Sequence, residues 1–173
     1  MTCDGATQSF TITVNPTPSV SNAPATSNLC SGSRVAFTPT GPVGGTVYNW
    51  VSNVTAGSLS GVSANGTGTI SDVLVNSTNT VATVQYTITP VASGCTGTSR
   101  ILTVNVDPRP TIVSTPSLET ICSGTATNLV LSSPTVPSAG AVVYDYTAVA
   151  SDAGVTGFTA SGTNISLATA IAQ

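Results

Sequence analysis

Ser9-Phe10-Thr11-Ile12-Thr13-Val14-Asn15-Pro16-Thr17-Pro18 sets the reading of the whole chain, because it comes twice. Phe10, Ile12 and Val14 alternate with Ser9, Thr11 and Thr13, the period of two expected of a half-buried β-strand. Residues 101–106 alternate in the same way, and Val14-Asn15-Pro16-Thr17-Pro18 returns as Val106-Asp107-Pro108-Arg109-Pro110, 92 residues later. Cys3 and Cys30 return as Cys95 and Cys122 at the same spacing, and Cys30-Ser31-Gly32-Ser33 lines up with Cys122-Ser123-Gly124-Thr125.

Further along, Val47-Tyr48-Asn49-Trp50 matches Val143-Tyr144-Asp145-Tyr146, and Gly61–Thr67 matches Gly157–Thr163, both at an offset of 96. A four-residue insertion therefore lies between Cys122 and Val143. A pattern intact on both sides of an insertion places it in a loop. A period near 92 is too long for a solenoid and suits an independently folding sandwich. The reading is an all-β chain of tandem antiparallel β-sandwich domains. Residues 1–18 end one unit with its last strand, 19–110 form a complete second, and 111–173 form an incomplete third. At an offset of 96, Gln173 falls opposite Ser77, short of the counterpart of residues 81–90. The expectation is that the sequence is a window on a longer chain; the alternative is a strand supplied by another copy.

Within the second unit, strands are predicted near 34–38, 46–52, 68–74, 81–89 and 101–106, with a short one near 57–62 and an edge strand near 19–22. Thr and Val favour pleated segments, while 16 Gly and 11 Pro divide them. Trp50, in the third major strand, is the expected core aromatic, with Tyr86, Ile88, Tyr48 and Phe37 around it and Tyr146 in its place in the following unit. An exposed aromatic stripe is the competing reading. Pro16, Pro18, Pro108 and Pro110 stop the ladder and form short, stiff interdomain joints, giving an extended rod.

Charged residues make up 5% of the chain, with three Arg, no Lys and no His, and the net charge is -3. That excludes an electrostatic footprint for nucleic acid or an anionic membrane. No apolar run reaches bilayer length, so direct membrane insertion is not expected. Catalysis would need a base, an activated nucleophile or a metal. The six acids, Asp4, Asp72, Asp107, Glu119, Asp145 and Asp152, neither pair in sequence nor fall in a calcium-loop pattern. No enzyme activity, cofactor or metal site is expected. Asn65-Gly66-Thr67-Gly68 reads as a turn before a strand, since it lacks the lysine and helix of a phosphate loop. Asn53, Asn65, Asn76 and Asn164 head N-glycosylation tripeptides.

Four repeated cysteines in a charge-poor chain point to an oxidising, extracellular setting. Two pairings satisfy the period. Cys30 bridging to Cys95 would close a 65-residue loop (95 − 30) within one unit, contributing about 2–4 kcal/mol. Cys3 to Cys30 with Cys95 to Cys122 would staple successive units, but needs the end of one unit to reach the opening of the next. The first is the favoured reading.

Ile121-Cys122-Ser123-Gly124-Thr125, Val47-Tyr48-Asn49-Trp50, Gly66-Thr67-Gly68-Thr69-Ile70, Val84-Gln85-Tyr86-Thr87-Ile88-Thr89-Pro90, Gly94-Cys95-Thr96-Gly97 and Val14-Asn15-Pro16-Thr17-Pro18 together resemble the PKD-like, immunoglobulin-like repeats of very large Bacteroidota surface proteins. The resemblance implies β-sandwich modules strung together in cell-surface adhesins or gliding-motility filaments, exported by the type IX secretion system. It departs at Tyr146, where many units carry Trp. The implied role is a noncatalytic structural repeat that spaces or presents an adhesive region, with adjacent repeats and the secretion or motility machinery as partners. The alternatives are a module that itself binds a surface glycan or protein, and an accessory domain of a secreted enzyme.

Overall fold

A computed structural model describes residues 1, 3–22, 26–127 and 129–166, the last three by backbone alone. It holds twelve strands among the described residues, and no helix. Eight precede residue 110: β1 (Thr26–Cys30), β2 (Val47–Ala56), β3 (Leu59–Ser60), β4 (Asn65–Thr67), β5 (Val75–Asn76), β6 (Ala82–Ala92), β7 (Cys95–Thr96) and β8 (Arg100–Asp107).

The main sheet runs β1-β8-β6-β2-β4, with β7 paired antiparallel to the far end of β6. β6 is its centre. Alternate residues of β6 from Ala82 to Ala92 are buried, as a period-two strand with one face on the core requires. The opposing layer is less regular. Residues 33–37 pair antiparallel with 70–74 through Phe37–Ile70 backbone bonds in both directions, Val35 N to Asp72 O (2.8 Å) and Leu74 N to Ser33 O (3.1 Å). β3 with β5 extends that layer.

The core lies between the layers. Trp50, Val84, Tyr86, Ile88, Leu102, Val104 and Val106 come from the main sheet, and Val20, Val35, Ile70 and Leu74 from the other side. Trp50 meets Tyr86 edge to face, with centroids 5.6 Å apart and planes at 77°. Opposite Trp50 in the β2–β4 ladder stands Gly66, where any side chain would collide with the indole ring. The Trp50 Nε1 is buried without a hydrogen-bond partner, so packing alone holds the ring.

The structure differs from the sequence reading at several points. The sandwich is not wholly antiparallel, because β1 runs parallel to β8 along the sheet edge, from Thr26↔Thr103 to Cys30↔Asp107. The long excursion through β2–β7 supplies the crossover that a parallel pair needs. Residues 9–14 form no ladder, and Phe10, Ile12 and Val14 are exposed, since alternation without a neighbouring strand leaves N–H and C=O groups to solvent. Residues 19–22 are anchored but are not a strand. Ser21 N donates to Thr40 O, the Asn22 side chain joins Thr38 O and Thr40 N, and Val20 is buried in the core.

Beyond residue 110 lie β9 (Val113–Thr115), β10 (Val130–Ser132), β11 (Val143–Thr147) and β12 (Ser161–Ser166), paired β9 with β10 and β11 with β12. Tyr146 stands opposite Gly162, as Trp50 stands opposite Gly66. Tyr144 is the buried aromatic here. Tyr146 is half-buried and lines an open groove of about 510 Å³ with Leu129, Leu131 and Phe158, instead of sitting in a closed core. Residues 167–173 lie outside the described residues.

Candidate functional site: the two ends of the domain

Because β6 and β8 run antiparallel through the whole domain, its two ends are defined by their termini. Ala82 faces Val106 at one end, and Ala92 faces Cys95 at the other.

The upstream end receives the incoming chain. Ser93 and Gly94 both have positive φ (47° and 79°), the two-residue turn whose twist fits a tight hairpin between β6 and β7. Pro18 is fully buried there, and a side chain at Gly97 would strike its carbonyl. The Asn15 side chain donates to the Ser93 carbonyl at 3.3 Å. Segment 15–18 is therefore seated against the β6–β7 turn, and Pro16 remains exposed.

The downstream end is a polar knot. Asn76, 6% exposed, donates from its amide to Thr80 O and Val106 O (both 2.8 Å), and its Oδ1 accepts from Thr78 N and Thr78 Oγ1. Its own N–H donates to Ser31 Oγ at 2.9 Å. Ser31 N donates to Asp107 O, and Arg109 Nε donates to Ser31 O while its guanidinium lies over Gly32, whose φ of +89° suits glycine. Pro108 is buried; Pro110 is exposed.

From this knot the Asp107 carboxylate reaches into the next segment, accepting Ser138 N–H at 2.6 Å and Ser138 Oγ–H at 2.8 Å. Val136 N donates to Asn79 O at 2.7 Å, with a parallel bridge between Thr80 and Val136, and Thr111 N donates to the buried Thr135 Oγ1. The contacting loop is 133–142. The pairing Val113↔Ser132 repeats the Ser21–Thr40 contact at an offset of 92, whereas Val143 onward repeats at 96. The four extra residues thus fall inside the loop that grips the preceding domain.

Asn15 and Asp107 are counterparts at the 92-residue spacing; the first holds segment 15–18 to the β6–β7 turn, and the second holds loop 133–142 to the downstream end. The sequence marks both only as parts of proline-bearing joints, and no signal in it singles out the side chain that makes the contact.

The remaining chemistry is structural. Asp72 accepts Ser63 N–H, Ser63 Oγ–H and the buried Tyr86 hydroxyl at 2.9, 2.7 and 2.8 Å. Burial first, then the hydrogen bond to Asp72 and its charge, push the Tyr86 hydroxyl well above the ordinary tyrosine value. Asp152 caps a turn through Gly154 N. Among the described residues no three His, Cys, Asp or Glu side chains converge to hold a metal ion, and no helix is long and apolar enough to cross a membrane. Of the glycosylation tripeptides, Asn53 and Asn65 are exposed and Asn76 is buried; the Asn164 side chain lies outside the described ones.

All four cysteines are free. The bridge from Cys30 to Cys95 does not form, because the two sit at opposite ends of the ladder, Cys30 beside Asp107 and Cys95 beside Ala92. Neither Cys3–Cys30 nor Cys95–Cys122 is bonded.

A central Trp on β2, a two-layer all-β core and a parallel edge between β1 and β8 define one folded unit. Residues 27–110 match the PKD-like domain family. No curated protein and no solved structure gives a significant match. The PKD-like domain begins in space before the matched span, since Pro18 and Val20 are buried in it. Its features are consistent with a noncatalytic all-β structural domain.

Proposed function

We propose that the chain is a stretch of a tandem array of PKD-like sandwiches in a long extracellular, cell-surface protein, where it spaces or presents an adhesive region. The observation that carries this reading is the head-to-tail use of the two ends. Segment 15–18 seats on the upstream end, and the downstream end is clasped by loop 133–142 through Asp107, so the chain enters at one end of the β6–β8 ladder and leaves at the other. The same register Trp50↔Gly66 and Tyr146↔Gly162, and the same turn at Cys30–Ser33 and Cys122–Thr125, support a second unit after the first. Buried Pro18 and Pro108 limit bending at each joint. Adhesion, gliding motility and export by type IX secretion are the setting that the family resemblance suggests for such an array.

Electron microscopy of the naturally exported full-length protein tests the proposal. β6 spans about 36 Å at roughly 3.3 Å per residue, so a beaded rod with a repeat near 35–40 Å is expected. A single compact particle, or freely jointed beads, would overturn it.

A further inference from the structure

The two ends of the domain each carry one cysteine, Cys30 at the downstream end and Cys95 at the upstream end. Cys30 is the ladder partner of Asp107, one strand spacing away at the downstream end. Cys95 is two residues from Ser93, at the upstream end. At the upstream joint the counterpart of Asp107, Asn15, is hydrogen-bonded to the Ser93 carbonyl. A Cys30-type thiol of the preceding unit, beside Asn15 as Cys30 is beside Asp107, would therefore lie at the same joint as Cys95. By the same register the thiol of Cys30 would face the Cys95-type residue of the following unit.

We propose that each joint is closed by a disulfide between the Cys30-type cysteine of one unit and the Cys95-type cysteine of the next. The inference rests on the tandem-array reading. It is neither of the two pairings suggested by the period alone, and it explains why the four cysteines described are all free. Cys95 would pair with a cysteine preceding residue 1, Cys30 with one 96 residues beyond Cys95, and Cys3 and Cys122 with the corresponding residues of further units. The staple joins the domain ends beside the proline segments, so that a joint held by hydrogen bonds becomes covalent. As the S–S bond forms, two thiols release two protons and two electrons. The electrons pass by exchange to the disulfide of a thiol oxidoreductase, which leaves as a dithiol.

Two experiments test it. In the chain as given, Asn15→Cys places a thiol at the joint. Under a glutathione redox buffer it is expected to bond to Cys95, with Phe10→Cys remaining unlinked as the control for simple flexibility. Bonding of Asn15→Cys to Cys30, no bonding, or equal bonding by Phe10→Cys would overturn the joint geometry.

In the naturally exported full-length protein, non-reducing digestion and mass spectrometry should show the Cys30 peptide linked to the Gly-Cys-Thr-Gly-type peptide of the next unit. A Cys30–Cys95 link, or alkylatable thiols in a protein that does contain successive units, overturns the disulfide while leaving the array intact. A protein with no further unit overturns the array itself.

Discussion

Replacing Asp107 by Ala removes the acceptor of two short contacts across the downstream joint, Ser138 N at 2.6 Å and Ser138 Oγ at 2.8 Å. Hydrogen bonds to a charged group contribute about 1.5–3 kcal/mol when enclosed, and exposed ionic contacts much less. Both of these are exposed, so their joint worth is about 1–2 kcal/mol, a change of about 5- to 30-fold in the ratio of closed to open joint. The contacts from Val136 and Thr111 survive, so the loop is expected to open more often without unfolding. Amide hydrogen exchange measured by NMR reads this directly. Exchange at Ser138 should accelerate about 5- to 30-fold in Asp107→Ala and less in Asp107→Asn, which keeps one acceptor oxygen, while amides of β6 stay as protected as before. Unchanged exchange at Ser138 would show that the carboxylate does not hold the joint, and equal acceleration throughout β6 would show that the domain, not the joint, was weakened.

Four further outcomes follow from the interior. Tyr86→Phe loses a donor to the Asp72 carboxylate, about 1.5–3 kcal/mol, and should lower the melting temperature by roughly 10 °C, followed through the fluorescence of the single tryptophan. Because the folded domain holds the Tyr86 proton to higher pH than the unfolded chain does, the unfolded state binds fewer protons above about pH 10. The contribution is complete below that pH and is lost as pH rises further; alkaline titration of stability should show this loss in the parent and less of it in Tyr86→Phe. Gly66→Ala should cost about 1–3 kcal/mol in denaturant unfolding by driving a methyl group into the Trp50 ring. Asn76→Ala strips the partners from Thr80 O, Val106 O and Thr78 N, and should cost about 2–4 kcal/mol or prevent folding, as seen by circular dichroism.

Much of the main sheet could be read from alternation. β6, β8 and the position of Trp50 follow from period-two patterns with a strong apolar face. β1 was hidden because Leu29 is its one large apolar side chain, and its parallel pairing depends on an edge left open by the rest of the fold. Residues 9–14 show the opposite failure: alternation records which face is apolar, not whether a neighbour is present to complete the ladder. The cysteines were misread for a related reason. A period identifies equivalent residues, but the end of the sandwich at which each lies depends on strand direction and register. The joint contacts of Asn15, Asp107 and Ser138 left no mark in composition, since polar residues in loops are the norm.

Residual dipolar couplings of the chain in a weakly aligning medium test the central claim most directly, because they compare the orientation of residues 19–110 with that of 111–166 without any label. The account predicts a single alignment tensor that fits both segments, the signature of a clasped, stiff joint. Two tensors of different magnitude, with the second segment averaged independently of the first, would contradict it.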